Sequence, residues 1–306
     1  MKNYFIPILA LCVCCVPPTR AADAPPAAVD PVKLAAFMEK WKDLVPNKRP
    51  ADEGPEAEAE QPLLLAAMAK DPLGPWWIYL SNDIAMATYR IGELPSEERQ
   101  PAAAKVVELA KQAEKITAEA MVSRGTNLAP RLQIDRDMWR RIQASWILEA
   151  GSKYLPEARA LGQAMLVNPP TTNSWDGNRG DLIYAGNQLL GRVALREGKL
   201  PEARDYLLKA GQAPVSSQLQ GIGPDNALAI EMLRHGEPED RKAVLAYLDA
   251  IAHFWANPIV LPNRGYMKNR AENHLKQLAE WKETIRAGNV PAGWQQKETV
   301  ASAPQR

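Results

Sequence analysis

The 306-residue chain is poor in cysteine, histidine and phenylalanine, with three of each, and these shortages exclude whole classes of chemistry. Cys12, Cys14 and Cys15 all fall inside a segment that reads as a leader, so cleavage behind it leaves no thiol. Disulfides, thiolate metal sites and cysteine nucleophiles are then excluded together. His235, His253 and His274 form no pair at i, i+4 with a carboxylate, which a zinc hydrolase requires, and no metal is expected. There is no Gly-x-Ser-x-Gly elbow, no phosphate-cradling Gly-rich loop ending in Lys-Ser/Thr, and no strand leading into a Gly-rich turn, so no catalytic residue and no cofactor is assigned. Charge of one sign is also lacking. The 37 basic residues balance 36 acidic ones without a basic run, which speaks against a nucleic-acid partner.

The N-terminus carries Lys2, an apolar run from Phe5 to Val16, and Thr19-Arg20-Ala21 as a small-x-small cleavage site, the pattern of a secretory signal peptide over residues 1–21. The run is shorter than the roughly 20 apolar residues that span a bilayer. Leu9-Ala10-Leu11-Cys12 resembles a bacterial lipoprotein signal, with Leu11 where a small residue is usual, so Cys12 is a second processing site and the only source of a membrane contact. The expected address is periplasmic or extracellular.

Residues 22–62 read as an Ala/Pro-rich exit, one amphipathic helix carrying Leu34, Phe37, Trp41 and Leu44, and an acidic, Pro-rich loop from Pro46 to Pro62. The loop's carboxylates lack the alternating ligands and central Gly of a calcium loop. From 63 to 287 apolar residues recur at helical spacing, with no β-branched run fit for a sheet, predicting an all-α domain. Within it helices are expected at Leu63–Lys70, Trp76–Ile91, Pro101–Ser123, Trp139–Glu149, Pro156–Val167, Leu182–Glu197, Pro201–Ala210, Asn226–Arg234, Asp240–Trp255 and Arg270–Arg286. Residues 288–306 read as a disordered tail.

Leu155-Pro156-Glu157-Ala158-Arg159 recurs word for word as Leu200-Pro201-Glu202-Ala203-Arg204, each copy following a helix that ends in glycine, Gly151 or Gly198. Such a repeat marks a duplicated helical hairpin. The hairpin over 181–214 resembles the tetratricopeptide repeat on Leu190-Gly191, Ala203, Leu207, Ala210 and Pro214. The resemblance implies a solenoid of antiparallel helix hairpins, with small residues where helices touch. Gly180-Asp181 through Gly223-Pro224 is also similar to a group of uncharacterised bacterial proteins with such repeats. The connection from Pro214 to Pro224 is expected to be rigid, capping one hairpin and starting the next.

The resemblance further implies a groove lined by Ala185, Gln188, Arg192 and Leu195, with Gln188 and Arg192 available to the backbone or carboxylate of a protein or peptide partner. A second candidate is the long loop with Trp175, Asp176, Asn178 and Arg179, where Trp175 packs over a junction or contacts a ligand and Asp181 caps the next helix. The nine tryptophans leave open a carbohydrate-binding or carbohydrate-active protein, if indoles and carboxylates converge in a cleft.

Overall fold

In the computed structural model, which describes residues 29–41, 55–124, 129–167, 179–256 and 265–295, every regular element is a helix. In chain order these are α1 (Pro31–Trp41), α2 (Pro55–Lys70), α3 (Trp76–Ile91), α4 (Ser96–Arg124), α5 (Ala129–Trp146), α6 (Leu155–Val167), α7 (Arg179–Arg196), α8 (Leu200–Gly211), α9 (Ser217–Gly221), α10 (Ala227–His235), α11 (Pro238–Ile251), α12 (His253–Ala256), α13 (Gly265–Arg286) and α14 (Ala292–Gln295). A single 3-10 turn, Ser152–Tyr154, leads into α6. The all-α expectation holds. No helix among the described residues is long and apolar enough to cross a membrane.

Two cores lie on either side of α7. One gathers residues of α1 to α6 with Leu182, Leu189 and Val193 of α7. The other joins Tyr184 of α7 to α8 through α14. Of the eighteen residues of α7, thirteen are buried, so it is the central helix, packed against α6, α8, α5 and α10. Close approach is possible because its neighbours' contact points are small. A Cβ on Gly186 would stand 3.2 Å from the Gly162 carbonyl oxygen, and one on Gly191 would fall 2.3 Å from Leu228 Cδ2 and 3.4 Å from the Ala203 carbonyl oxygen.

The same register recurs three times. Pro-Glu-Ala-Arg opens α6 and α8, and Pro238-Glu239-Asp240-Arg241 opens α11. From these starts the buried positions run Ala158, Gly162, Met165, then Ala203, Leu207, Ala210, then Asp240, Val244, Tyr247. Before each start stands a glycine with positive φ, Gly151, Gly198 or Gly236, the backbone state that ends a helix most cheaply with glycine. Seven residues before each of these glycines lies a buried small residue, Ala144, Gly191 or Ala229. The third copy escapes a word search because Asp240 replaces alanine. Its buried carboxylate is met by Arg204 Nε at 2.6 Å and His235 Nδ1 at 2.9 Å.

Several expected boundaries are corrected. The acidic, Pro-rich segment is helical from Pro55, with Pro62 inside α2. Leu64, Leu65, Ala67 and Met68 bury its far end. Helix α5 begins at Ala129, ten residues before the expected start at Trp139, because four arginines and two aspartates hide its period. The tail does not begin at 288. Trp294 is buried and packs against Trp281, with ring centroids 5.1 Å apart. The leader and residues 296–306 lie outside the described residues.

The α7 crossings predict opposite outcomes at two glycines. Gly191→Val should destabilise by about 2–3 kcal/mol through overpacking. Gly221→Ala, where an added Cβ meets nothing within 4 Å, should stay within about 0.5 kcal/mol of the parent. Urea unfolding of both variants checks this.

Candidate functional site

The four residues assigned to a groove lie on α7, and the structure corrects their expected openness. Ala185 is half-buried against the first core and Leu195 against the second. Gln188 and Arg192 are 7% and 4% exposed, and their polar groups are engaged within the chain. Gln188 Nε2 donates to Tyr184 Oη at 3.1 Å, while its Oε1 accepts from Leu228 N at 3.2 Å in the first turn of α10. Gln188 thus caps a helix that has no side-chain cap of its own.

Arg192 holds together three helical regions. Its Nε donates to Glu231 Oε1 of α10 at 2.8 Å, and its Nη2 reaches both Glu231 and Glu149, the latter just beyond α5. Arg196, one turn on, adds a contact to Glu231 Oε2 at 3.0 Å. Two guanidiniums and two carboxylates balance to zero charge. Burial opposes a charged Arg192, but the Glu231 and Glu149 carboxylates more than reverse this and hold its pKa above the usual value. A partner's carboxylate would have to displace these internal ones.

Tyr184, Gln188, Arg192 and Arg196 follow one another at i, i+4 along a single face of α7. At its N-terminal end Tyr184 Oη lies 2.7 Å from Tyr247 Oη and donates to the Asp225 carbonyl at 2.5 Å. Tyr247 Oη bonds Asn226 Oδ1 at 2.9 Å. Burial, the largest effect, raises both phenol pKa values and keeps them neutral. This polar stripe was legible as four polar residues at helical spacing in one helix. Its partners Glu149, Glu231 and Tyr247 carried no such signal.

The connection between α8 and α10 crosses several helix ends and is tied to each. Ser216 Oγ accepts from Leu219 N at 3.1 Å, capping α9, and donates to Asp181 Oδ1. Arg141 Nη1 of α5 donates to Gln218 Oε1 and stands 3.2 Å from Asp181 Oδ2. Trp255 Nε1 donates to the Gln220 carbonyl at 3.0 Å. Asp181 is therefore no N-cap. It lies in the first turn of α7, which starts at Arg179, and joins α5 to the connection. Burial, more than the opposing Arg141 and Ser216, raises its pKa.

Of the loop candidates, Trp175, Asp176 and Asn178 lie outside the described residues. Arg179 opens α7, half-buried, with Nε buried and without a hydrogen bond. None of the described tryptophans is exposed; Trp76, Trp139, Trp255 and Trp294 are at most 3% exposed. Among the described residues no three His, Cys, Asp or Glu gather as a metal would need. His253 sets its ring nitrogens beside the Ala250 and Ala213 carbonyls, and His274 stacks on Trp255 with centroids 4.6 Å apart.

Two carboxyls of α5, Asp135 and Asp137, are buried. Burial pushes both pKa values up to about 6, opposed more weakly by Arg131 at Asp135 and by the Gln133 hydrogen bond and nearby arginines at Asp137. Because the folded pKa is raised above the unfolded one, these groups oppose folding once ionised. Their penalty is absent below about pH 4 and complete above about pH 6. Asp135→Asn should accordingly stabilise the protein by roughly 1–3 kcal/mol at pH 7.5, with the gain disappearing near pH 4 in denaturant titrations. Arg192→Met should cost about 3–5 kcal/mol by stranding two buried carboxylates. Adding Glu149→Gln and Glu231→Gln should recover much of that loss, and equal stability of the single and triple variants would refute a charge-based role.

No protein-family model, curated protein or solved structure matches this chain, so its function must be read from its own residues.

Proposed function

We propose that this chain is an exported tetratricopeptide-like scaffold, a short solenoid of helix hairpins that binds a protein or peptide partner without catalysing a reaction. The observation that carries this reading is the threefold register: a small residue in the first helix, a positive-φ glycine seven residues later, and a second helix with three buried positions at spacings of four and three. Stacked hairpins of one register make an extended, repetitive surface, which suits the binding of an extended partner. Packing mainly between neighbouring helices, α6 with α7, α7 with α8 and α8 with α11, supports the same reading.

The α7 polar stripe is not the binding surface in this proposal, because its groups are engaged internally. The exposed positions that recur with the register are better placed. Ala160, Asp205 and Lys242 occupy equivalent places on α6, α8 and α11, and all three are exposed. The carbohydrate reading draws no support from the described tryptophans, whose faces serve the cores.

The scaffold reading predicts that a photocrosslinking residue at position 160, 205 or 242, introduced one at a time in the producing cell, captures the same protein from at least two positions. Failure to enrich any protein above an unrelated exported control, together with binding to immobilised glycans, would overturn it. Mass spectrometry of the mature chain tests export. Cleavage after Ala21 leaves Ala22 as the first residue, whereas a lipidated Cys12 at the N-terminus would replace a soluble scaffold with a membrane-tethered one.

A further inference from the structure

Arg141 stands where α5, α7 and the α8–α10 connection meet. Its Nη1 serves both Asp181 Oδ2 and Gln218 Oε1, while its Nε is buried without an acceptor. One turn earlier on the same face, Asp137 is 1% exposed. Its Oδ1 accepts from Gln133 Nε2 at 2.6 Å, and its Oδ2 is buried with no donor. A buried, unmatched carboxylate oxygen cannot hold charge without a cost of several kcal/mol. A proton on Oδ2 would also lack an acceptor, but the arrangement seen costs the neutral acid less than the carboxylate.

We infer that Asp137 and Asp181 compete for Arg141, so that one proton on Asp137 decides whether the connection carrying Gln218 is latched to α5. With Asp137 neutral, Arg141 belongs to Asp181 and Gln218. When Asp137 releases its proton to solvent, its carboxylate gains the unmatched Arg141 Nε as partner, at the i, i+4 spacing that suits an ion pair on a helix. The guanidinium turns toward it and Gln218 loses its donor.

Three arginines of α5 act on Asp137, Arg140 and Arg136 ahead of Arg141, but of the three it is Arg141 that has a buried Nε without an acceptor. Arg136 and Arg140 are held by Glu114 of α4 at 3.3 and 2.7 Å, and Gln143 donates to the same carboxylate at 2.8 Å. Asp135 lies about 200° around the helix from Asp137 and feels Arg131 instead. From α7 comes Asp181, from the connection Ser216 and Gln218, and no charge of α6 acts on Asp137. Burial raises the Asp181 pKa, against Arg141 and Ser216, which favour its ionised form, and the latch holds while that carboxylate keeps its charge. Burial, which pushes the Asp137 carboxyl up to about 6, puts the switch within the range of a mildly acidic exterior. This inference concerns control of the connection and does not depend on the scaffold reading.

Hydrogen exchange of residues 216–222 in the full chain tests it, with rates corrected for intrinsic pH dependence. Exchange should be about tenfold faster at pH 7.5 than at pH 5, equivalent to ~1.4 kcal/mol. Asp137→Asn, which mimics the neutral acid, should remain slow at both. Equal corrected rates in the parent, or persistent pH dependence in the variant, would overturn the proposal. If the variant does not fold, the Nε resonance of Arg141 in the parent decides. It should shift with the same midpoint as the exchange, and any other midpoint rules the latch out.

Discussion

A charged residue at the centre of a helix buried on nearly all sides is the constraint around which this molecule is arranged. Arg192 lies in α7 between the two cores, where an unpaired guanidinium would be untenable. Its charge is tolerated because Glu149 arrives from the region before α6 and Glu231 from α10. The pairing sets the placement of both regions relative to α7. Apolar packing could tolerate a helix sliding by part of a turn, whereas a guanidinium shared between two buried carboxylates cannot.

The connection from α8 to α10 obeys the same logic through a mixture of charged and neutral groups. It is too polar to be buried for its own sake, yet Leu219 and Gln220 are buried. Arg141, Asp181, Tyr184, Tyr247 and Trp255 each satisfy one of its backbone or side-chain groups. A segment with so many external ties behaves as part of the fold, whereas the expectation of a rigid connection rested on a resemblance. The Asp137–Arg141 pair adds one place where these ties respond to a proton.

Much of the local structure could be read from residue order, and the misses have identifiable causes. The repeated Leu-Pro-Glu-Ala-Arg exposed two hairpins word for word, and Ala229, Gly236 and Tyr247 kept the rhythm of a third, in which the buried Asp240, paired with Arg204, takes the place of Ala158 and Ala203. The prolines and carboxylates of residues 55–62 favour a solvated loop in isolation. They instead start a helix because the leucines that follow have a core to enter. Gln188 and Arg192 stood at positions that resemblance associates with a groove, yet nothing in their own neighbourhood revealed that the acceptors for their hydrogen bonds lay in the same chain.

What the sequence by itself determined was set by interactions three or four residues apart: the helical period, the Gly-Pro breaks and the small residues at close crossings. What only the tertiary structure decided depends on partners far apart in the chain. Glu149 and Glu231 stand 43 and 39 residues from Arg192, and Tyr247 lies 63 from Tyr184. A polar side chain on a helix looks the same in sequence whether it meets solvent, a ligand or another helix, and only three-dimensional packing selects among them.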